Sequence, residues 1–535
     1  MLTVVAAAPV VVGQSEARAG EFYLEDVTAR LPVDPDANIK DTLDVDLADI
    51  DGDGDLDMFV VDGSGSVTPF PNKVFANDGH GNFTDVTATA LPPGPPANST
   101  EVEFADIDGD GDLDAVVSNL GGNQLLVNDG AGHFSDASAN LAQAVPPGPP
   151  GFSVPFPPFF IEISAEARFA DVDGDGDPDI LIANENPLPF GPPGDFNRLL
   201  LNDGSGVFTE TQGRLPVSIN QSAGYAVGDI DGDGDLDLIE VNIGANNVFI
   251  NDGAGYFTDE TATRLVTSPR STRKGILADV DHDGDLDFFE GNSRNEQNRL
   301  FLNDGTGVFT DVTDTHLPVR LDTTTDVDLV DIDLDGDLDA YITNVGDFVG
   351  GHGFIGDQDQ ILLNDGAGHY TDGSYPRGDD RSGRGTNAEW GDIDGDGDPD
   401  LVVANSGGTD QPGLPPPDGA ERLYVNHTCD TELRACLGFA AGLVSSEVGA
   451  LDPDPAAGVM TSPHQAVNEA RQQVLAFFAG QLVSGAPQAP IPALLAGFVF
   501  IQRRVDGDHP PPDWVQGAAA DRLLILSTFA VDAAH

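Results

Sequence analysis

The string Asp-x-Asp-x-Asp-Gly-Asp-x-Asp returns seven times in this chain, starting at Asp49, Asp106, Asp171, Asp229, Asp279, Asp331 and Asp392. Five carboxylates in nine residues repel one another unless a counter-charge sits among them. A hard cation is the simplest such charge. Alternate Asp residues supply oxygens, and Gly at the sixth position permits a tight bend. Calcium accepts roughly six to eight oxygens in irregular geometry more readily than magnesium does. In the first copy the carboxylates of Asp49, Asp51, Asp53 and Asp57 and the carbonyl of Asp55 form the candidate ligand set, with Gly54 at the bend. The matching sets are Asp106, Asp108, Asp110, Asp112 and Asp114; Asp171, Asp173, Asp175, Asp177 and Asp179; Asp229, Asp231, Asp233, Asp235 and Asp237. The last three are Asp279, Asp281, Asp283, Asp285 and Asp287; Asp331, Asp333, Asp335, Asp337 and Asp339; Asp392, Asp394, Asp396, Asp398 and Asp400. About seven calcium ions are expected.

These loops hold 35 of the 91 acidic residues, and seven divalent ions would bring the formal charge of −68 to about −54. So acidic a surface is expected to avoid nucleic acid and anionic membranes, since phosphate contacts need Lys and Arg. The helix-flanked EF-hand is excluded. That motif wants Glu at position 12, where this chain has Val60, Val117, Ile182, Glu240, Glu290, Ile342 and Val403.

Loop starts are 57, 65, 58, 50, 52 and 61 residues apart, the period of a propeller blade or a similar array. Each unit carries a second motif, Asn-Asp-Gly-x-Gly-x-Phe/Tyr, at Asn77, Asn128, Asn202, Asn251, Asn303 and Asn364. Asn and Gly accept positive φ at little cost, so this run predicts a hairpin turn. One unit then reads as four strands: A before the metal loop, B after it, C before the turn and D after it. In the second unit these are Val102–Ala105, Ala115–Ser118, Gln124–Val127 and His133–Asp136. The last unit has Arg422 to Asn426 for strand C but no strand D. The missing piece stands at the other end of the chain, where 20–28 mirror 81–87. First and last segments would share one unit and close a ring, leaving no open edge. The expected fold is an all-β, seven-bladed propeller over residues 20–428.

The repeats resemble the FG-GAP/VCBS repeats of integrin α-subunit heads and bacterial extracellular proteins, over roughly Gly20 to Asn426. The resemblance implies a calcium-stabilised propeller used for recognition or adhesion, here of a glycan or an extracellular protein. Fungal propeller lectins and some polysaccharide lyases are similar as well. A polysaccharide lyase or hydrolase therefore stays open as an alternative, as does a purely structural module.

Strand order puts the metal loops and C–D turns on one face, and the B–C and D–A connections on the other. The first kind hardly varies in length; the second varies greatly, with Pro- and Phe-rich stretches containing Phe152, Phe156, Phe159, Phe160, Phe190 and Phe196. Variation confined to one face predicts a binding surface there, with Phe156 and Phe190 as aromatic contacts. Strand A is innermost in a propeller. Three residues before each metal loop it carries Asp46, Glu103, Arg168, Ala226, Ile276, Asp328 and Glu389. Two residues further back stand Asp44, Glu101, Glu166, Gly224, Lys274, Asp326 and Asn387. An acidic central funnel with Arg168 as internal counter-charge follows, suited to a cation or a basic partner or simply to solvent. The Asn ending each strand B is expected to be structural. Glu240 and Glu290 on adjacent units are an acid–base pair only on paper.

Residues 1–19 have the apolar core and small-residue end of a signal peptide without its basic start, so a secreted or surface location is expected. Residues 429–535 change pattern. Ser462-Pro-His-Gln465 is a capping box, and Val467, Ala470, Val474, Phe478 and Leu482 follow at helical spacing. A small α-rich appended module is expected there. Cys429 and Cys436 are close enough for a local disulfide or two free thiols. The apolar stretch Pro490 to Ile501 is too short to span a membrane. The chain is expected to be a monomer.

Overall fold

The computed structural model describes residues 22–32, 41–63, 70–141, 164–185, 197–218, 220–265, 268–345, 347–349, 353–355, 359–373, 385–405 and 421–428. Nearly all belong to one compact unit, Leu24–Asn426. The leader-like segment, the six Phe residues of the variable connections, Cys429, Cys436 and the 429–535 segment lie outside the described residues.

The unit is built of antiparallel strands in the order A-B-C-D. Sheet 1 is Asp41–Ala48, Asp57–Gly63, Lys73–Asn77 and Phe83–Asp85; sheet 2 is Ser99–Ala105, Asp114–Asn119, Gln124–Val127 and Ser135–Asp136. Sheet 3 is Ser164–Ala170, Asp179–Asn184, Arg198–Asn202 and Phe208–Glu210; sheet 4 is Ser222–Gly228, Asp237–Gly244, Asn247–Asn251 and Phe257–Asp259. Sheet 5 is Arg270–Ala278, Asp287–Asn292, Arg299–Asn303 and Phe309–Asp311; sheet 6 is Thr324–Val330, Asp339–Asn344, Gln360–Leu363 and Thr371–Asp372. Sheet 7 takes Gly385–Gly391, Asp400–Asn405 and Arg422–Thr428 from the end of the chain and Phe22–Asp26 from its start. Strand B of sheet 4 also reaches strand A of sheet 5 through Ile243↔Ser271 and Gly244↔Arg270.

Strand B is buried along its whole length in sheets 1, 2, 3, 5, 6 and 7. A strand covered on both faces has no polar side to alternate with, so it reads as a near-continuous apolar run such as Met58-Phe-Val-Val61. The core is accordingly a set of layers between sheets. Phe59, Val61 and Val74 of sheet 1 pack on Val102, Val117 and Leu126 of sheet 2, with Phe134 edge-on to Phe59. Met58, Val60 and Phe75 of sheet 1 pack on Val402, Ala404 and Leu423 of sheet 7. Truncating a side chain such as Phe59 to Ala would cost ~3–5 kcal/mol.

Two features depart from the sequence reading. Strand D runs into one turn of helix at Thr87–Ala90, Thr261–Arg264 and Thr313–His316. The leading Thr hydroxyl accepts the strand C amide of Val74, Val248 or Leu300. Four residues are too few to leave a helical period. The B–C connection of sheet 6, one of the variable ones, contains a two-stranded ribbon, Asp347–Val349 with Gly353–Ile355.

Candidate functional site

Each Asp-rich loop organises its own backbone first. The carboxylate at position 1 accepts the amide of the Gly at position 6, as in Asp49–Gly54 (3.1 Å) and Asp229–Gly234 (3.0 Å). Position 9 is a two-sided clamp. One oxygen of Asp57 accepts the amide of Ile50 at 3.1 Å, and the other that of Asn77 at 2.8 Å, tying metal loop to hairpin turn. The same pair of bonds recurs at Asp114, Asp179, Asp237, Asp287, Asp339 and Asp400. Burial pushes Asp57 and Asp114 up to about 6, and Asp179, Asp237, Asp287, Asp339 and Asp400 to about 7. Position 7 turns its side chain to the hairpin, where any Cβ at Gly79 would collide with the Asp55 carboxylate. That leaves its carbonyl as its metal-side group. Position 4 is left-handed, with φ of 74° at Gly52 and 61° and 57° at His282 and Leu334. The two substituted loops keep that conformation at a cost of ~1–2 kcal/mol each.

These loops fit a cation. Oxygens of Asp106, Asp108 and Asp114 lie within 4.8 Å of one another, as do those of Asp49, Asp51 and Asp53, of Asp171, Asp173 and Asp179, of Asp229, Asp231 and Asp237, and of Asp279, Asp281 and Asp287. Position 3 gives the sharper test. One oxygen each of Asp108, Asp173, Asp231, Asp333 and Asp394 is buried with no hydrogen-bond partner. A buried carboxylate oxygen facing others of its kind is the donor set a divalent ion satisfies.

The sequence reading missed what the turn Asn does. Its side-chain amide reaches into the metal loop of the preceding sheet. Asn128 donates to the carbonyl of Ile50, Asn202 to Ile107, Asn251 to Val172, Asn303 to Ile230 and Asn364 to Val280, each at 2.8 Å. Asn426 donates to Ile332 at 2.9 Å. The signal was present, since Asn426 keeps the Asn although the rest of its turn motif is gone. Three arginines after strand D do similar work. Arg264 binds Asp231 at 2.9 Å and the Thr306 carbonyl of the next turn at 2.5 Å. Arg214 does so with Asp173 and Ala254, and Arg30 with Asp394 and His80. At the corresponding place sheet 5 has His316, its ring stacked on His369 at 4.1 Å.

The seven A strands face one cavity of about 660 Å³, and Asp46, Glu103, Arg168, Asp328 and Glu389 all line it. The residues two positions back divide in role. Asp44, Glu166, Asp326 and Asn387 accept amides of the adjoining A strand at Val102, Tyr225, Ala388 and Val45. Glu166 needs Gly224 beside it, where a Cβ would overlap its carboxylate. Glu101 Oε2 in this row and Asp328 Oδ2 in the row nearer the loops are, by contrast, buried without a partner. Arg168 lies 3.7 Å from Glu103 and 3.4 Å from Glu166, and Lys274 lies 3.3 Å from Asp326. Burial pushes Asp44 up to about 7. It holds Asp46, Glu101, Asp328 and Glu389 well above the carboxylate range, reinforced by Asp44, Glu166, Asp326 and Asp46 respectively.

Two other expectations are settled by hydrogen bonds. The strand B Asn residues are structural: Asn119 donates to Val117 and Gly122 and accepts from Ser99. Glu240 and Glu290 are fully buried, one among Asn197, Ser222, Asn242 and Asn247, the other on Thr272 and Arg299.

The FG-GAP-like repeat model matches residues 49–117, 171–240, 229–290 and 279–342, and the FG-GAP repeat model matches 385–425. Together they span more than half of the chain, which belongs to the FG-GAP repeat proteins. No curated protein matches it. Among solved structures it is similar to an Agrocybe aegerita lectin that recognises non-reducing terminal N-acetylglucosamine. There the identity is 18%, with 62% of this chain and 79% of that one covered and a TM-score of 0.36. It is also similar to BBS1N in complex with ARL6DN, at 11% identity, 77% and 98% coverage and a TM-score of 0.45. A Bacillus licheniformis rhamnogalacturonan lyase shares 14% identity over 75% of each chain, with a TM-score of 0.40.

Proposed function

We propose that the protein is a calcium-loaded, seven-bladed β-propeller acting as a secreted or cell-surface, non-catalytic recognition module. Its ligand is a protein or glycan that presents a cationic group to the central cavity. The observation that carries this reading is the set Asp46, Glu101, Glu103, Asp328 and Glu389 around one 660 Å³ space, with two carboxylate oxygens buried and unpartnered. A Lys or Arg side chain, or an amino sugar, would supply the missing donors and charge. Calcium would be held by positions 1, 3, 5 and 9 and the carbonyl of position 7. It would neutralise the loops against which the turn Asn residues lock each blade. Millimolar calcium outside the cell suits such loops, and among the described residues no helix is long and apolar enough to cross a membrane.

The test is calorimetric titration with a Lys-rich peptide and with an amino-sugar oligosaccharide in calcium buffer. Saturable binding that weakens with salt and is lost in the triple variant Asp46→Asn, Glu103→Gln, Asp328→Asn is expected. Unchanged affinity in that variant would move the site elsewhere. Turnover of a polysaccharide panel that depends on the same residues would make the chain an enzyme instead.

A further inference from the structure

Sheet 5 carries a second cavity, of about 430 Å³, lined among others by Arg270, Gln297, Arg299, Asp311, Thr313 and Asp314. It lies where strands A and C begin, at the end of the sheet away from the metal loop. Arg299 is only 5% exposed. Its Nη2 donates to Glu290 at 2.7 Å and to the Ser268 carbonyl at 3.1 Å, and its guanidinium lies over the Phe301 ring at 5.3 Å. A side chain held so firmly still leaves its buried Nε–H without a partner. The buried Nε–H of Arg270 and side-chain nitrogen of Gln297 are equally unpartnered among the described residues. Three orphaned donors around one cavity are notable in a chain with 23 basic residues against 91 acidic ones. Buried N–H groups are normally satisfied, so three unsatisfied ones on residues that line one cavity mark a place for an acceptor.

The charges narrow the acceptor. Glu290 pairs with Arg299, and Arg270 has no ion-pair partner among the described residues. A carboxylate takes N–H donors in its plane and brings a single negative charge to a lining that also holds Asp311 and Asp314. Asp311 and Asp314, both exposed, would repel a dianionic phosphate or a multiply charged acidic peptide more strongly than a single carboxylate. Their oxygens are well suited to accept the hydroxyls of a sugar. The volume is adequate for one monosaccharide. We propose that this cavity binds a hexuronate unit of an acidic polysaccharide. The carboxylate lies on Arg270, Gln297 and Arg299, and the ring hydroxyls lie on Asp311 and Asp314. The site goes beyond the funnel reading, being a separate cavity for a ligand of opposite charge.

The test is a titration of the full chain in calcium buffer with methyl glucuronide, methyl glucoside, inorganic phosphate and a Glu-rich peptide. Methyl glucuronide is expected to saturate, with the glucoside at least about tenfold weaker, as loss of a charge-assisted bond implies. Arg270→Ala and Gln297→Ala should each weaken the glucuronide by about tenfold or more with the unfolding midpoint unchanged. The funnel triple variant should bind it as the parent does. Equal affinity for glucoside and glucuronide would overturn the proposal. So would preference for phosphate or the peptide, absence of saturation, or indifference to Arg270→Ala. Loss of glucuronide binding in the funnel variant alone would place the sugar in the funnel and overturn this site while leaving the protein a receptor.

Discussion

The side-chain amide of Asn77 donates at 2.8 Å to the carbonyl of Ile393, 316 positions further along the chain. It is the seventh member of the set that joins each turn to the preceding metal loop, and it makes the set circular. The same amide donates to Leu56 at 3.1 Å, and its oxygen accepts the amides of Asp78 and Gly81. Asn77→Ala would leave the buried Ile393 carbonyl unpaired, at ~1–3 kcal/mol. Asn251→Ala should cost a similar amount, because the closing junction is bonded like an internal one. Urea unfolding in calcium measures both. A harmless Asn77→Ala beside a damaging Asn251→Ala would mean that the ring is not closed there.

Metal counting addresses the loops. The native protein should carry about seven calcium ions, and chelation should lower its unfolding midpoint strongly, with magnesium a poor substitute. Each site at a hundredfold its dissociation constant adds ~2.7 kcal/mol. Asp108→Asn removes a position-3 oxygen that is buried without a partner, and the count should fall by one. An unchanged count, or indifference to chelation, would remove the basis for calcium.

The arginines imply unequal sites. Arg264 already engages Asp231, Arg214 engages Asp173 and Arg30 approaches Asp394. A guanidinium at position 3 competes with a cation for the same charge. Loops 3, 4 and 7 should therefore bind calcium more weakly than loops 1 and 2. Arg264→Ala should tighten one site in a calcium titration while lowering stability by ~1 kcal/mol. Weaker calcium binding in that variant would show the arginine to be a support for the site.

The funnel should make stability depend on pH. Asp328 has a raised pKa in the folded state, from burial first and Asp326 second. A raised folded pKa contributes stability fully below the unfolded value of about 4, and that contribution is lost as pH rises through the folded value. Asp44, in the same funnel, is itself pushed up to about 7 by burial. Asp328→Asn, without added ligand, should thus stabilise the protein by ~1–3 kcal/mol near pH 8 and by little near pH 5. An equal gain at both, or a loss near pH 8, would show that Asp328 is compensated in the fold.

Local chemistry was legible in the sequence because it repeats. The loops, the Asn-Asp-Gly turns and the A-to-D strand pattern were readable from spacing alone, and so was the complement between Phe22 to Asp26 and the last unit. In the second unit strand A was read short, as Val102–Ala105 against Ser99–Ala105, where the pairing is irregular at Ser99/Glu101, and strand D was read long, as His133–Asp136 against Ser135–Asp136. What stayed hidden were partners far apart in sequence. Nothing near Asn128 names Ile50, and nothing near Arg264 names Thr306. The funnel acids were found by counting back from each loop, but not their division into Asp44-type clasps and free Asp328-type groups. Arg270, Gln297 and Arg299 belong to no repeat, so no periodicity could have singled them out.

The shared seventh sheet also orders events in time. Leu423 donates its amide to the Thr28 hydroxyl across 395 positions, and Val27 donates to the Leu423 carbonyl. A chain emerging from its N-terminus presents Phe22 to Asp26 first, as a strand with nothing to pair with, and supplies its partner last. Six sheets can assemble on local contacts, while the ring must wait for one very long loop to close. Until then the growing structure has two naked edges, each a template for a second copy. Ions that fill the early loops would stiffen a half-built arc, so calcium supply during synthesis or export would bear on whether the ends meet each other or a neighbour.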